Sequence, residues 1–276
     1  MSGGRARAWW AVAAVLVAAW ALLPTLWIVS LSFTPPAALG VARGFLPGAA
    51  TWDNYRAVFA TRLFVAALRN SVAIACLATL LAVGVATLAA WAVARLGAPG
   101  SRLLLAVALG IAMFPQAALV GPLFDLWRRT GLYDTWAGLV LPYLTFALPL
   151  AIWTLTASFR QLPWELVDAA QLDGATRWQT FRRVVVPLAA PGLATTAILT
   201  FFFCWNDFLF AIALTSTDRA RTVPAALAFF TGASQYQSPV TAIAAASVVV
   251  TIPVAALVLL FQRRIVAGLT AGAVKG

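Results

Sequence analysis

Histidine is absent from the chain, and cysteine occurs twice, as Cys76 and Cys204, far apart and each inside an apolar run. Without histidine, most zinc and haem sites lose their commonest ligand, and Ser–His–Asp or Cys–His catalysis loses its base. Two distant cysteines supply no iron–sulfur framework, and single cysteines among apolar residues act as small apolar side chains. Charge is equally scarce: 10% of the 276 residues are Asp, Glu, Lys or Arg, against about 25% in a soluble domain. Hydrophobic residues reach 63%, so polar side chains cannot cover a globule and lipid is the expected solvent. The scarcest charges are acidic, 8 against 19 basic, for a net charge of +11. In a soluble protein that balance would suggest nucleic acid. Here the basic residues fall mostly between apolar runs, where they set membrane topology, so no nucleic-acid partner is expected.

What is abundant is long apolar sequence. Six runs, at 9–33, 68–94, 103–123, 136–159, 188–214 and 241–261, are each long enough to cross a hydrocarbon core ~30 Å thick. The first follows Arg5 and Arg7 and is longer than the roughly 7–15 residues of a signal-peptide core, so it reads as a retained anchor. An all-α polytopic membrane protein with six spans follows, a single domain over 1–276 with both termini in the cytoplasm. Pro115 interrupts the third run, Pro142 and Pro149 the fourth, and Pro253 the sixth, and each predicts a kink. Counting basic residues on this topology gives 11 inside and 8 outside, too small a bias to fix orientation alone. Segment 34–67 is too polar for lipid. Pro35-Pro36, Gly44 and Pro47-Gly48 make its first part turn-rich, and Thr51-Trp52-Asp53-Asn54-Tyr55 begins a short amphipathic helix expected on the outer surface. Residues 215–239 form a smaller outer loop.

The longest inner loop, 160–187, is too charged for a span and too well patterned for a linker. Pro163 suits a first helical turn, and Glu165 and Asp168 put negative charge near the helix N-terminus. Leu162, Leu166, Ala169 and Ala170 recur at helical spacing, giving an apolar face of mostly small residues. Gly174 can take the left-handed conformation that stops a helix. Thr176 and Gln179 have the spacing of a capping box, which starts a second helix offering Phe181, Val184 and Val185 to a partner. Pro187 is expected to end the unit just before the fifth span.

Asp168-Ala169-Ala170, three residues, Gly174, nine residues and Val184-Val185-Val186-Pro187 resemble the permease signature of ATP-binding-cassette importers, Glu-Ala-Ala, three residues, Gly, nine residues, Ile-x-Leu-Pro. The spacing matches throughout; the departures are Asp for Glu, and Val for Ile and Leu. Asp173-Gly174-Ala175-Thr176 with Phe181 is typical of the carbohydrate-uptake, maltose-type branch. Asn70-Ser71, Phe146-Ala147-Leu148-Pro149, Trp205-Asn206-Asp207 and the ending from Gln262-Arg263-Arg264 to Gly276 are similar to the same branch. Within it the chain looks most like the trehalose-importing permeases.

The resemblance implies a coupling helix over 163–174, docked in a groove of a cytoplasmic ATPase subunit, with Glu165, Asp168, Ala169, Ala170, Asp173, Gly174 and Pro187 as the coupling residues. It implies two ATPase subunits, a second related permease as heterodimer partner and an extracytoplasmic sugar-binding protein. Trehalose or a related disaccharide is the implied cargo. The C-terminal cytoplasmic tail is 262–276, and within it 268–276 is a second candidate contact for the ATPases. The chain has no Gly-x-x-x-x-Gly-Lys-Ser/Thr loop, so ATP and Mg belong on the partner ATPases and no cofactor is expected on this chain.

Polar residues inside the apolar runs are candidates for the sugar path: Asn70, Gln116, Trp205, Asn206 and Asp207, with Ser71 of the same kind. An aspartate near the bilayer centre costs about 2.5–3.5 kcal/mol on insertion scales. Asp207, in the outer half of the fifth run, is therefore expected to face a cavity or a partner or to lie near the outer interface, either as acceptor for a sugar hydroxyl or as half of a helix–helix hydrogen bond. Three other classes compete. An ion-coupled secondary transporter needs paired intramembrane acids, of which only Asp207 qualifies, and an internal repeat. A membrane enzyme would need a nucleophile–base pair. A non-transporting membrane subunit is the third.

Overall fold

In the computed structural model every regular element among the described residues (3–39, 44–45, 48–97, 99–230 and 240–270) is helical. The all-α expectation therefore holds. The helices are α1 Gly3–Ser32, α2 Asp53–Ala60, α3 Arg62–Ala94, α4 Ser101–Ala112, α5 Gln116–Thr130, α6 Trp136–Phe159, α7 Trp164–Leu172 and α8 Arg177–Thr180. A π-helical turn, Phe181–Val185, links α8 to α9 Val186–Leu188; then come α10 Ala190–Trp205, α11 Leu209–Leu214, α12 Val223–Ala228 and α13 Val240–Thr270. Four of these are long and apolar enough to cross a membrane: Trp9–Ser32, Arg62–Ala94, Trp136–Phe159 and Val240–Gln262. They coincide with the first, second, fourth and sixth apolar runs. Pro142, Pro149 and Pro253 lie inside helices as expected, and so do Pro24 and Pro122.

The third and fifth runs are broken. Helices α4 and α5 meet at 87°, where a kinked single span was expected. Pro115 takes an extended conformation (ψ 117°) and caps α5, and a proline also drives the residue before it away from helical geometry. The second break bends Arg177–Leu188 from Ala190–Trp205 by 72°. Pro187 does not end the inner unit; it sits inside α9, and the bend comes at Ala189. A proline cannot donate to the preceding turn, and the π-turn with its Val186 N–H to Phe181 O bond lies just ahead of it. Helix α10 then stops at Trp205, short of the expected 214.

The chain divides into two compact units, Met1–Val65 with Ala226–Pro253 and Ala66–Ala225 with Val254–Gly276. In the first, α2 is the amphipathic helix anticipated from residues 51–55. Asn54, buried, donates to the carbonyls of Ser32 and Thr34, both at 2.9 Å, and accepts from the Thr241 hydroxyl at 3.0 Å. One amide side chain thus ties α2 to the end of α1 and the start of α13. Helix α1 exposes Trp10 and Trp20 almost fully, a surface for lipid or a neighbouring helix. The turn-rich stretch before α2 and the 215–239 loop each lie partly outside the described residues.

The second unit is built around α6, whose Tyr143, Ala147, Ala151 and Leu155 are fully buried. Helix α10 packs closely on α6 because Gly192 has no side chain: a Cβ there would overlap the Ser158 side chain. At one end of this unit, Asp134 takes a left-handed conformation (φ 57°) at the turn into α6. Its carboxylate accepts from the Ser216 amide at 3.0 Å, the Thr217 amide at 3.2 Å and the Thr217 hydroxyl at 2.5 Å. Beside it Asn70 donates to the carbonyls of Asp218 and Arg221 at 3.0 and 3.1 Å and accepts from the Trp136 indole at 3.1 Å. Ser71 accepts from the Val223 amide at 2.8 Å. These groups clasp the loop after α11 onto the starts of α3 and α6.

Burial by itself raises the Asp134 pKa; the Thr217 hydroxyl, the two amides and nearby Arg219 outweigh it and hold the carboxyl below its ordinary value. A depressed folded pKa contributes stability that is present above the unfolded value of ~3.9 and lost as pH falls through the folded value. Asp134→Asn is therefore expected to cost about 1–3 kcal/mol near neutral pH and to flatten the acid side of a plot of thermal midpoint against pH. A variant with the wild-type acid profile would show that the clasp carries no charge-dependent stability.

Candidate functional site

Two regions of the second unit hold the sequence candidates. The first is the hairpin 160–187. Pro163 caps α7, with Glu165 in its first turn. The helix ends in a Schellman arrangement: Asp173 is the C-cap, Gly174 sits at φ 87°, the Gly174 amide donates to Gln171 O at 3.1 Å and the Ala175 amide to Ala170 O at 3.0 Å. The capping box forms as the sequence specifies, Thr176 N–H to Gln179 Oε1 at 2.8 Å and Gln179 N–H to Thr176 Oγ1 at 3.3 Å. Helix, tight break and helix are all present.

The hairpin's buried face differs from the one expected. Val167, fully buried, packs with Phe181 and Val185 against Ala86 and Ala90 of α3 and Leu155 and Phe159 of α6. Phe181 and Val185, assigned above to a partner, are thus core residues of this chain, and Leu162 packs on the same cluster. Trp91 and Trp178 both stack on Phe181, at 4.6 and 5.3 Å between ring centroids. The Arg95 guanidinium pairs with the Asp168 carboxylate and lies 5.4 Å from the Trp164 ring centroid. What stays open is the opposite face: Glu165, Asp168, Ala169, Asp173 and Gly174 are exposed, as are Leu166 and, at 89%, Leu172. Val167 and Leu172 were missed in the sequence. Trp164 and Val167, three apart, carry the helical signal for the buried face, whereas Leu172 lies outside the small-residue pattern. Pro187 is exposed in α9, and the tail side chains beyond Gln262 lie outside the described residues.

The second region is the break between α10 and α11. Asn206 turns its amide back onto Phe202 O at 2.8 Å, and Asp207 accepts from the Ala211 amide at 3.1 Å, capping α11. Backbone groups freed by a break must be satisfied in lipid, and these two side chains meet part of that need. An open cavity of about 620 Å³ is lined by Gln116, Asn206 and Asp207, with Phe146, Phe203 and Phe208 among its apolar walls. Gln116 makes no side-chain hydrogen bond among the described residues, and the buried Tyr143 hydroxyl, beside Asp207, completes none of good geometry. Trp205 stands apart from this cavity, 2% exposed and stacked on Phe201. Asn70 stands apart as well, its amide committed to the clasp, and Ser71 with it. Three of the five path candidates therefore meet, and two do not.

Residues 5–267 match the model of the binding-protein-dependent transport system inner membrane component family. The chain belongs to that family. It is 56% identical over 274 residues, 99% of this chain and 100% of the relative, to the trehalose transport system permease protein SugB of Mycobacterium tuberculosis (strain CDC 1551 / Oshkosh). It is 42% identical, across 96% of this chain and 95% of the relative, to the trehalose/maltose transport system permease protein MalG of Thermococcus litoralis. Its fold is shared with a chain of a bacterial ABC transporter involved in the import of the acidic polysaccharide alginate (TM-score 0.76, 24% identity, 95% of this chain and 98% of that one). The permease resemblance and the multi-pass inner-membrane placement read from the sequence stand.

The Arg95–Asp168 pair can be weighed directly. The two side chains are 31% and 53% exposed, so solvent screens them and a coupling of about 0.2–1 kcal/mol is expected. A double-mutant cycle with Arg95→Ala and Asp168→Ala, read by chemical unfolding in detergent, measures it. Strictly additive losses would leave the pair no part in holding α7.

Proposed function

We propose that this chain is one membrane-spanning subunit of an ATP-driven, binding-protein-dependent importer of trehalose or a related disaccharide. The observation that carries the reading is full-length identity of 56% to a trehalose transport permease, joined to an exposed hairpin tip of small, acidic and apolar residues. In this reading Glu165, Asp168, Ala169, Ala170, Asp173 and Gly174, with Pro187 behind them, face a separate ATPase subunit. Ala169, Ala170 and Gly174 let the two backbones approach. The termini and the hairpin lie in the cytoplasm, and the 34–67 segment and the 215–239 loop lie outside, within reach of a sugar-binding protein.

Closure of the ATPases moves the hairpin, and because Val167, Phe181 and Val185 are locked into the ends of α3 and α6, the bundle moves with it. A second related permease completes the pathway. Gln116, Asn206 and Asp207 supply hydrogen-bonding groups to the sugar in the 620 Å³ cavity, a volume within the range of about 300–1,000 Å³ usual for small-molecule sites. Phe203 and Phe208 offer apolar faces to the sugar ring there.

Two measurements test this. ATPase activity of the reconstituted complex with its binding protein, across a panel of disaccharides, is expected to rise with trehalose; no stimulation by trehalose would overturn the cargo while leaving the class intact. Gly174→Asp is expected to insert normally and abolish uptake. The space around a Cβ at Gly174 is empty in this chain, and aspartate is among the residues that best tolerate a left-handed backbone. The lesion therefore falls on docking rather than on folding, and unchanged uptake would remove the hairpin from the coupling path.

A further inference from the structure

A separate pocket of about 430 Å³ opens between the end of α3, the start of α4 and the end of α6. Arg102 and Arg160 line it from two different helix ends, with Ser101, Gly97 and Gly100 between them. Both glycines have positive φ, 54° and 83°, and a Cβ on either would meet nothing within 4 Å. One wall is therefore bare backbone beside open space. Both arginines are exposed, and neither guanidinium forms an ion pair or hydrogen bond among the described residues, whereas that of Arg95 next door is held by Asp168. The first amides of α4 also point toward this end: Gly100 caps the helix without a side chain, and amides at the first turn have no intrahelical acceptor. Two guanidiniums, a helix N-terminus and a glycine-lined hollow form a receptor for a phosphate group.

We propose that this pocket binds the phosphate of an anionic phospholipid headgroup. A free phosphate shares the chemistry, but position favours the lipid. Arg160 directly follows membrane-length α6, and Arg102 opens the apolar α4, so both stand where helices leave the hydrocarbon. Val93 and Leu105 line the pocket, and Leu103 and Val107 are exposed further along α4, a surface for an acyl chain. Basic pockets at the ends of membrane helices hold anionic headgroups in this way. The site needs only that α6 and α4 meet a bilayer, so it stands or falls apart from the transport reading.

The test is native mass spectrometry of the full-length chain extracted from vesicles of mixed phosphatidylcholine and phosphatidylglycerol. Wild type is expected to retain phosphatidylglycerol selectively. R102Q/R160Q is expected to hold it roughly thirtyfold more weakly, the loss of about 1 kcal/mol for each of two arginines. Arg129→Gln, which removes a charge from the far end of α5, serves as the folding and charge control and is expected to behave as wild type. Undiminished retention by the double variant, or an equal loss in Arg129→Gln, would overturn the site. Displacement of the lipid by millimolar inorganic phosphate would put a free anion in the pocket and overturn the lipid assignment.

Discussion

The burial of Val167, Phe181 and Val185 against α3 and α6 is the contact on which the proposed coupling depends. Each of these side chains contributes about 1.5–3 kcal/mol on leaving water, and together they outweigh the screened Arg95–Asp168 pair beside them. The consequence is geometric. A hairpin held only by its loops would yield when a partner pushed on it, while one set into a packed cluster passes the displacement to the helices. Close packing makes such interiors stiff, so the proposed coupling requires the exposed tip at Leu166, Ala169, Leu172 and Gly174 and the buried base to move as one lever.

The breaks in α4–α5 and α10–α11 shape a second region, beside the middle of α6. A continuous span would have carried Asp207 as an unsatisfied charge in an apolar helix. Interrupting the helix lets Asp207 and Asn206 bond backbone at the helix ends and turns their region into a cavity wall. The same residues thus stabilise the break and line the cavity.

Legibility from the sequence followed the physics of each signal. Apolar runs at 9–33, 68–94, 136–159 and 241–261 were readable because length and hydropathy decide a span alone. The hairpin was readable because Pro163, Gly174 and the Thr176–Gln179 box are local devices with local partners. The two bends were not: Pro115 looks the same whether it kinks a helix or caps a new one, and neighbours decide. Asn70 looked like a path residue because its partners, the carbonyls of Asp218 and Arg221, are about 150 positions away in the chain. Phe181 and Val185 looked like a docking face because periodicity marks an apolar stripe without saying which surface covers it.

The lever can be tested by one distance. With Cys76 and Cys204 replaced, spin labels at Leu172 on the exposed tip and Leu141 on the exposed side of α6 report the separation of hairpin and bundle in the assembled transporter. The account predicts one narrow distance distribution, the same without nucleotide and with ATP bound. A distribution that shifts or splits on ATP binding would show the hairpin moving on its own and would contradict the rigid coupling of tip to bundle.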